Sequence, residues 1–146
     1  MDDTQAQAQA QAQAPAAPEY DFDTDEVVDR ADVCIKDRTG AATGLVVTLA
    51  SPMHPQRKAW EFAAQNRKRS AIKKSGSLLN SSAEDDYADE TERLAVCTLA
   101  WNSSKTPFSR AAALAIYGDP RRLHIRQQIK TAADDLDLFT RSSAPR

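Results

Sequence analysis

An α+β fold is predicted, and three observations carry that prediction. Ala31, Val33 and Ile35 alternate with Asp32, Cys34 and Lys36, and Leu45, Val47 and Leu49 alternate with Val46, Thr48 and Ala50, the period-two pattern of two strands. Between residues 84 and 139, apolar side chains recur at steps of three and four, broken by local stop signals, as short amphipathic helices require. Ahead of both lies an alternating Gln/Ala tract over residues 5–17, with no branched or aromatic side chain to bury. The chain therefore divides into an arm (1–26), a two-stranded β-hairpin plus basic helix (27–74), a linker (75–83), a small three-helix bundle (84–140) and a tail (141–146).

The arm is expected to be disordered, because ordering it costs entropy and buries nothing. Gln and Ala are good helix formers, so a transient helix is open to it, but no apolar stripe exists to dock one. Glu19-Tyr20-Asp21-Phe22-Asp23 follows as an acidic lead-in, readable as a linker or as a short docked strand. The hairpin closes through 37–44, where Gly40 and Gly44 are available for positive φ. A two-stranded ribbon is marginal alone, so it must lie on helices or pair with another chain.

Ser51-Pro52 ends the second strand, and Pro55 opens a helix running through Trp60 and Phe62 toward Ile72. Its far end carries Arg67, Lys68, Arg69, Lys73 and Lys74. These suit the negative end of the helix dipole, and alternatively form a patch for nucleic-acid phosphates. Ser75 to Ser82 reads as the linker. Beyond it, Tyr87, Thr91, Leu94, Thr98 and Trp101 fall on one helical face behind a carboxylate-rich first turn. Ser109 is placed to cap a second, alanine-rich helix with Ala112, Ala113, Ile116 and Tyr117, expected in the middle of the bundle. Gly118 is expected to terminate it in the left-handed conformation. Asp119-Pro120 opens the last helix, with Ile125, Ile129, Ala132, Leu136 and Phe139 on its apolar face and Arg121, Arg122, Arg126 and Lys130 off it. The tail is expected to fray.

Charge bounds the function. The 146 residues carry a net charge of −2, distributed in blocks: acidic to Asp37, basic from Arg57 to Lys74, acidic again from Glu84 to Glu92. Such blocks attract one another, or outside partners, within a Debye length. Asp2 and Asp3 stand where a secretory signal is basic, and no apolar run approaches a membrane span, so a cytoplasmic setting is expected. Cys34 and Cys97 lack metal-type spacing and are expected to be reduced, packed thiols. No phosphate-cradling glycine loop, HExxH or GxSxG motif occurs, and neither His54 nor His124 has a sequence partner. Asp85 and Asp89 read as a solvated, helix-stabilising pair rather than an acid–base couple. No enzymatic activity, catalytic residue, metal or cofactor is expected.

The order of these signals resembles the small tail assembly chaperones of tailed bacteriophages and prophages. The resemblance rests on the strand-turn-strand around Asp37-Arg38-Thr39-Gly40, the strand ending at Ala50-Ser51-Pro52 and the charged helix from Gln56 to Arg69. It continues with Leu94-Ala95-Val96-Cys97 leading to Trp101, Pro107-Phe108-Ser109, Ala113-Leu114, Tyr117, Asp119-Pro120, Ile125-Arg126-Gln127-Gln128-Ile129, Asp135 and Phe139. It covers nearly everything after Val27. The chain departs from that pattern in the short span between Trp101 and Pro107, and in Ala111-Ala112 where the family has Glu-Asn.

The resemblance implies a non-enzymatic factor in virion morphogenesis, acting in the host cytoplasm and binding the tape measure or tail tube protein. Trp60, Trp101, Phe108 and Tyr117 are the candidate partner-binding anchors, with a place in the core as the alternative for each. A free ribbon edge offers a route to homo-oligomers. The alternative function is a structural component retained in the virion, such as a minor capsid, connector or tail protein. A nucleic-acid-binding regulator is the third reading, resting on Arg57 to Lys74 alone.

Overall fold

Both alternating stretches form strands, β1 (Arg30–Lys36) and β2 (Ala42–Ala50), paired antiparallel with Ala31 opposite Leu49 and Val33 opposite Val47. The structure, a computed structural model, describes Glu19, residues 26–76 and residues 81–140. Most of the arm and acidic lead-in, residues 77–80 of the expected linker, and the tail lie outside the described residues. The turn is built on Asp37, whose Oδ1 accepts from the Thr39 hydroxyl at 2.6 Å, the Thr39 amide at 2.8 Å and the Ala41 amide at 3.0 Å. These donors, the Thr39 hydroxyl foremost, hold the Asp37 carboxyl below its ordinary pKa. Gly40 takes φ +88°, a conformation that a side chain would strain.

The hairpin and the helices are present, but the sheet has three strands, not two. The helix that opens at Ala83 stops at Cys97, and Thr98–Trp101 forms β3, antiparallel to β2 with Val47 opposite Trp101 and Leu49 opposite Thr98. The four-three spacing that places Thr98 and Trp101 on a helix face also places them both on the core side of the sheet, because the pairing shifts between Thr48 and Leu49. The ribbon thus gains its third strand from within its own chain.

Two side-chain amides finish the sheet. Asn102 Oδ1 accepts from Val46 N at 2.9 Å and its Nδ2 donates to Gly44 O at 3.0 Å, prolonging β3 in the manner of backbone. On the far edge, Gln128 accepts from Lys36 N at 2.8 Å and donates to Lys36 O at 2.9 Å, so a helix side chain covers one end of edge strand β1. Val27 bridges Thr140, and Val28 N donates to Phe139 O, so the two ends of the described chain meet.

The helices are α1 (Pro55–Ser75), α2 (Ala83–Cys97), α3 (Arg110–Gly118) and α4 (Leu123–Ala133), with 3-10 turns at Pro120–Arg122 and Leu136–Phe139. Pro55 sits in the first turn of α1, and His54 Nδ1 caps it by accepting from Gln56 N, which gives that histidine a structural role. Ser82 and Asp85 form a capping box at α2, and Ser109 Oγ caps α3 from Ala112 N. Within the expected linker, α1 continues to Ser75 and is closed by Gly76 at φ +73°.

Gly118 is not left-handed; α3 ends because Asp119 is extended and precedes Pro120. A Cβ on Gly118 would meet Thr91 Cγ2 at 3.5 Å, so this glycine marks close packing of α3 on α2. The expected last helix breaks at Asp134, and Leu136, placed on its apolar face by spacing, is exposed.

The core lies between one sheet face and α2 to α4, with Ile35, Val47, Leu49, Leu94, Cys97, Tyr117, Ile129 and Phe139 essentially inaccessible. Two arginines are buried among them. Arg57, 5% exposed, donates from Nη1 to Ala50 O at 3.2 Å and Ala133 O at 2.9 Å, fastening α1 to the end of β2 and the end of α4. Arg126, 7% exposed, donates to Thr91 Oγ1, Tyr117 O and Tyr87 O, and lies 3.9 Å from the Tyr87 ring centroid. Spacing placed Arg126 off the apolar face. It is buried because three acceptors and an aromatic ring replace the water its guanidinium gives up. Cys97 is buried as expected, whereas Cys34 is exposed on the outer face of the sheet.

Candidate functional site

The four candidate anchors separate into two places. Trp101 and Phe108 pack edge to face, centroids 5.0 Å apart at 88°, and both are half-buried. Trp101 Nε1 donates to Thr106 O at 2.6 Å, which pins the loop after β3 against the ring. Tyr117 lies beneath, 1% exposed, its hydroxyl 2.8 Å from Thr98 Oγ1; burial foremost pushes its pKa up to about 12, so it stays a neutral phenol. Trp101 and Tyr117 line a cavity of about 540 Å3 at one end of the sheet. Leu45, Val47, Ile116 and Ile125 give it apolar walls, and the loop residues Ser103 to Thr106 form its rim with Lys105.

Trp60 stands elsewhere, in a groove of about 770 Å3 between α1 and α2. Its indole Nε1 is buried without a hydrogen-bond partner, and the Arg67 guanidinium lies 6.0 Å from its ring. The α1 side carries Arg67 and Lys68 with Glu61, and the α2 side carries Asp85, Asp86, Asp89 and Glu90 with Arg93; Ala64, Ala71 and Ala88 also line the groove. The basic and acidic blocks thus lie on neighbouring helices. Among the described residues, however, no α1 cation reaches an α2 carboxylate at ion-pair distance. The acidic helix pairs instead with α4, through Arg93 to Asp134 at 3.1 Å and Lys130 to Glu90 at 3.9 Å. Burial pushes the Glu90 carboxyl up, but the Arg93 hydrogen bond and charge, with Lys130 and Arg126 beyond, outweigh it and hold it below the ordinary value.

The α1 helix explains why the groove stays open. All its residues from Gln65 to Ser75 are exposed, and Phe62 at 57% and Ile72 at 39% are open to solvent. Its 21 residues span about 31 Å at roughly 1.5 Å each, and only the first third is fastened to the body. Apolar residues do not gather on one side of it, so no stripe draws the remainder down.

His124 is half-buried with an unpartnered Nδ1. Among the described residues, no cluster of three or more His, Cys, Asp or Glu is placed to hold a metal, and no helix is long and apolar enough to cross a membrane. Compared with known proteins, the chain matches no family model, no curated protein and no solved structure. Sequence reasoning found Trp60 and anticipated that the charge blocks could attract one another, but not that Trp60 lies in a groove between them, and it missed Lys105, Leu45 and Ile125 as cavity residues. Only the short polar loop 102–106 after an aromatic pointed that way.

Proposed function

We propose that this protein is a non-enzymatic assembly factor that holds a helical segment of a partner in the groove between α1 and α2. One observation carries the reading: two walls whose net charges are opposite flank a half-buried tryptophan, and among the described residues no ion pair bridges them. A partner helix laid there packs on the half-buried Trp60 ring and on Ala64, Ala71 and Ala88, and takes its orientation from the two charged walls.

The resemblance of the motif order to tail assembly chaperones supplies the biological setting: the tape measure or tail tube protein of a tailed phage as partner, in the host cytoplasm before the tail is complete. No cofactor, nucleic acid or membrane enters this reading. Of the four aromatics, Trp60 is the contact residue, while Tyr117 serves the core.

The test has two parts. Mass spectrometry of gradient-purified particles beside crude lysate should find the protein abundant in lysate and missing from particles; a fixed copy number in particles would make it a virion building block instead. Co-expression with the tape measure protein should give a complex that R67E/K68E weakens at least ten-fold, and an unaffected complex would remove the groove from the reading.

A further inference from the structure

The cavity beneath Trp101 is separate from the α1–α2 groove and has a chemistry of its own. Its walls are aliphatic: Leu45 and Val47 from β2, Ile116 from α3 and Ile125 from α4. The indole contributes ring surface only, since its N–H is already spent on Thr106 O. At about 540 Å3 the space lies within the range that small ligands fill.

The lining is one-sided in charge. It includes Lys105 and Arg122 and no acidic residue. Among the described residues Lys105 enters no ion pair. Arg122 has only Asp119, at 3.9 Å, and that carboxylate is held more closely by Arg121, at 3.3 Å. One unneutralised cation and one partly neutralised cation at an apolar cavity suit a single negative charge on an apolar body. A dianion would exceed the charge available, and a neutral apolar ligand would make no use of Lys105 or Arg122.

We infer that this cavity binds a carboxylate carried on an aliphatic or aromatic body, with the apolar part against Leu45, Val47, Ile116 and Ile125 and the carboxylate between Lys105 and Arg122. Two sources offer that chemistry: the C-terminal residue of a polypeptide and a free carboxylic acid. In both, the apolar group displaces water from the aliphatic walls while the charge stays at the partly solvated rim, where its desolvation is small.

The test uses the full chain carrying W60F, so that Trp101 is the sole indole and reports from the cavity. Decanoate is titrated beside decanol, and N-acetyl-Ala-Leu-Phe beside its C-terminal amide. A saturable change in Trp101 emission with either carboxylate is expected, at least ten-fold weaker for its uncharged analogue and at least ten-fold weaker in K105Q/R122Q. Both of these side chains are exposed, so the double variant should fold. A response to decanoate alone assigns the site to free acids, and a response to the tripeptide assigns it to polypeptide ends. Equal binding of charged and uncharged probes, undiminished binding in K105Q/R122Q, or no saturable change with either carboxylate would overturn the inference.

Discussion

The two ends of α2 are stabilised by different physics. Its C-terminal part, from Thr91 to Cys97, places Leu94, Ala95 and Cys97 in the core, while every residue from Ala83 to Asp89 is exposed, with Asp85, Asp86, Ala88 and Asp89 lining the groove beside α1. One end is held by burial and by buried polar groups with partners. The other has a capping box and lies across a gap from the charges of α1. The same contrast separates Arg57 from Arg67 ten residues later on α1: the first is locked onto two carbonyls, the second lies over an indole at a groove edge. Stability therefore resides in the sheet and the helices packed on it, which leaves the C-terminal part of α1 and the N-terminal part of α2 free for recognition.

Paired truncations should expose that division most strongly. Leu94→Ala empties a fully buried site and should cost about 2 to 5 kcal/mol in denaturant unfolding, whereas Ile72→Ala on the free part of α1 should stay within about 0.5 kcal/mol. Comparable losses at the two positions would mean that α1 is part of the cooperative core.

The buried arginines give the next largest effect. Arg126→Leu strips the donor from Tyr117 O, Thr91 Oγ1 and Tyr87 O, and should cost on the order of 3 kcal/mol. Arg126→Lys should recover little, since a point charge does not reproduce the planar fork. Arg67→Leu should leave the midpoint of unfolding unchanged. If Arg126→Leu were as mild, its hydrogen bonds would be replaceable by water and the region less dry than its burial implies.

These arginines also mark where the sequence stops being legible. The hairpin was readable because alternation and two glycines agree, and the helix starts because Pro55, Ser82 and Ser109 carry local chemistry. Strand β3 was not, since Thr98–Trp101 follows α2 with no glycine or proline between them and its residues also satisfy helical spacing. The unmet need of a two-stranded ribbon for a third strand was the available clue. Arg57 and Arg126 look like surface charges in sequence because most of their acceptors are backbone carbonyls, which no side-chain pattern reveals. Trp60 and the opposed charge blocks were visible one by one. That they share a groove depends on how α1 leaves the body.

Acid should separate the two regions more gently. The Glu90 carboxyl titrates below its ordinary 4.5 in the fold. A carboxylate lowered in this way contributes stability above that value and loses it as pH falls through the folded pKa. Chemical unfolding at a series of pH values below about 4.5 should show stability declining, with a shallower slope in Glu90→Gln. An identical slope would mean that the link from Arg93 and Lys130 to Glu90 does not feel the fold.

Salt should act on the groove and spare the core. Attraction between Arg67 and Lys68 on one wall and Asp85, Asp86 and Asp89 on the other works across a solvent-filled gap, where the Debye length shortens from about 10 Å at 0.1 M to about 3 Å at 1 M. Raising salt across that range should speed amide exchange in α1 from Gln65 to Ser75 by a few-fold. The amides of Leu94 to Cys97 should stay at the global unfolding limit. Gly76→Ala offers an independent route to the same end, because it strains the left-handed close of α1, by about 1 kcal/mol, without touching another residue. Faster exchange at both Gln65 to Ser75 and Leu94 to Cys97 under salt would tie α1 into the body. Unchanged exchange in α1 under salt would instead show that the opposed charges do not hold α1, and its geometry would then rest on Arg57 and the first turns alone.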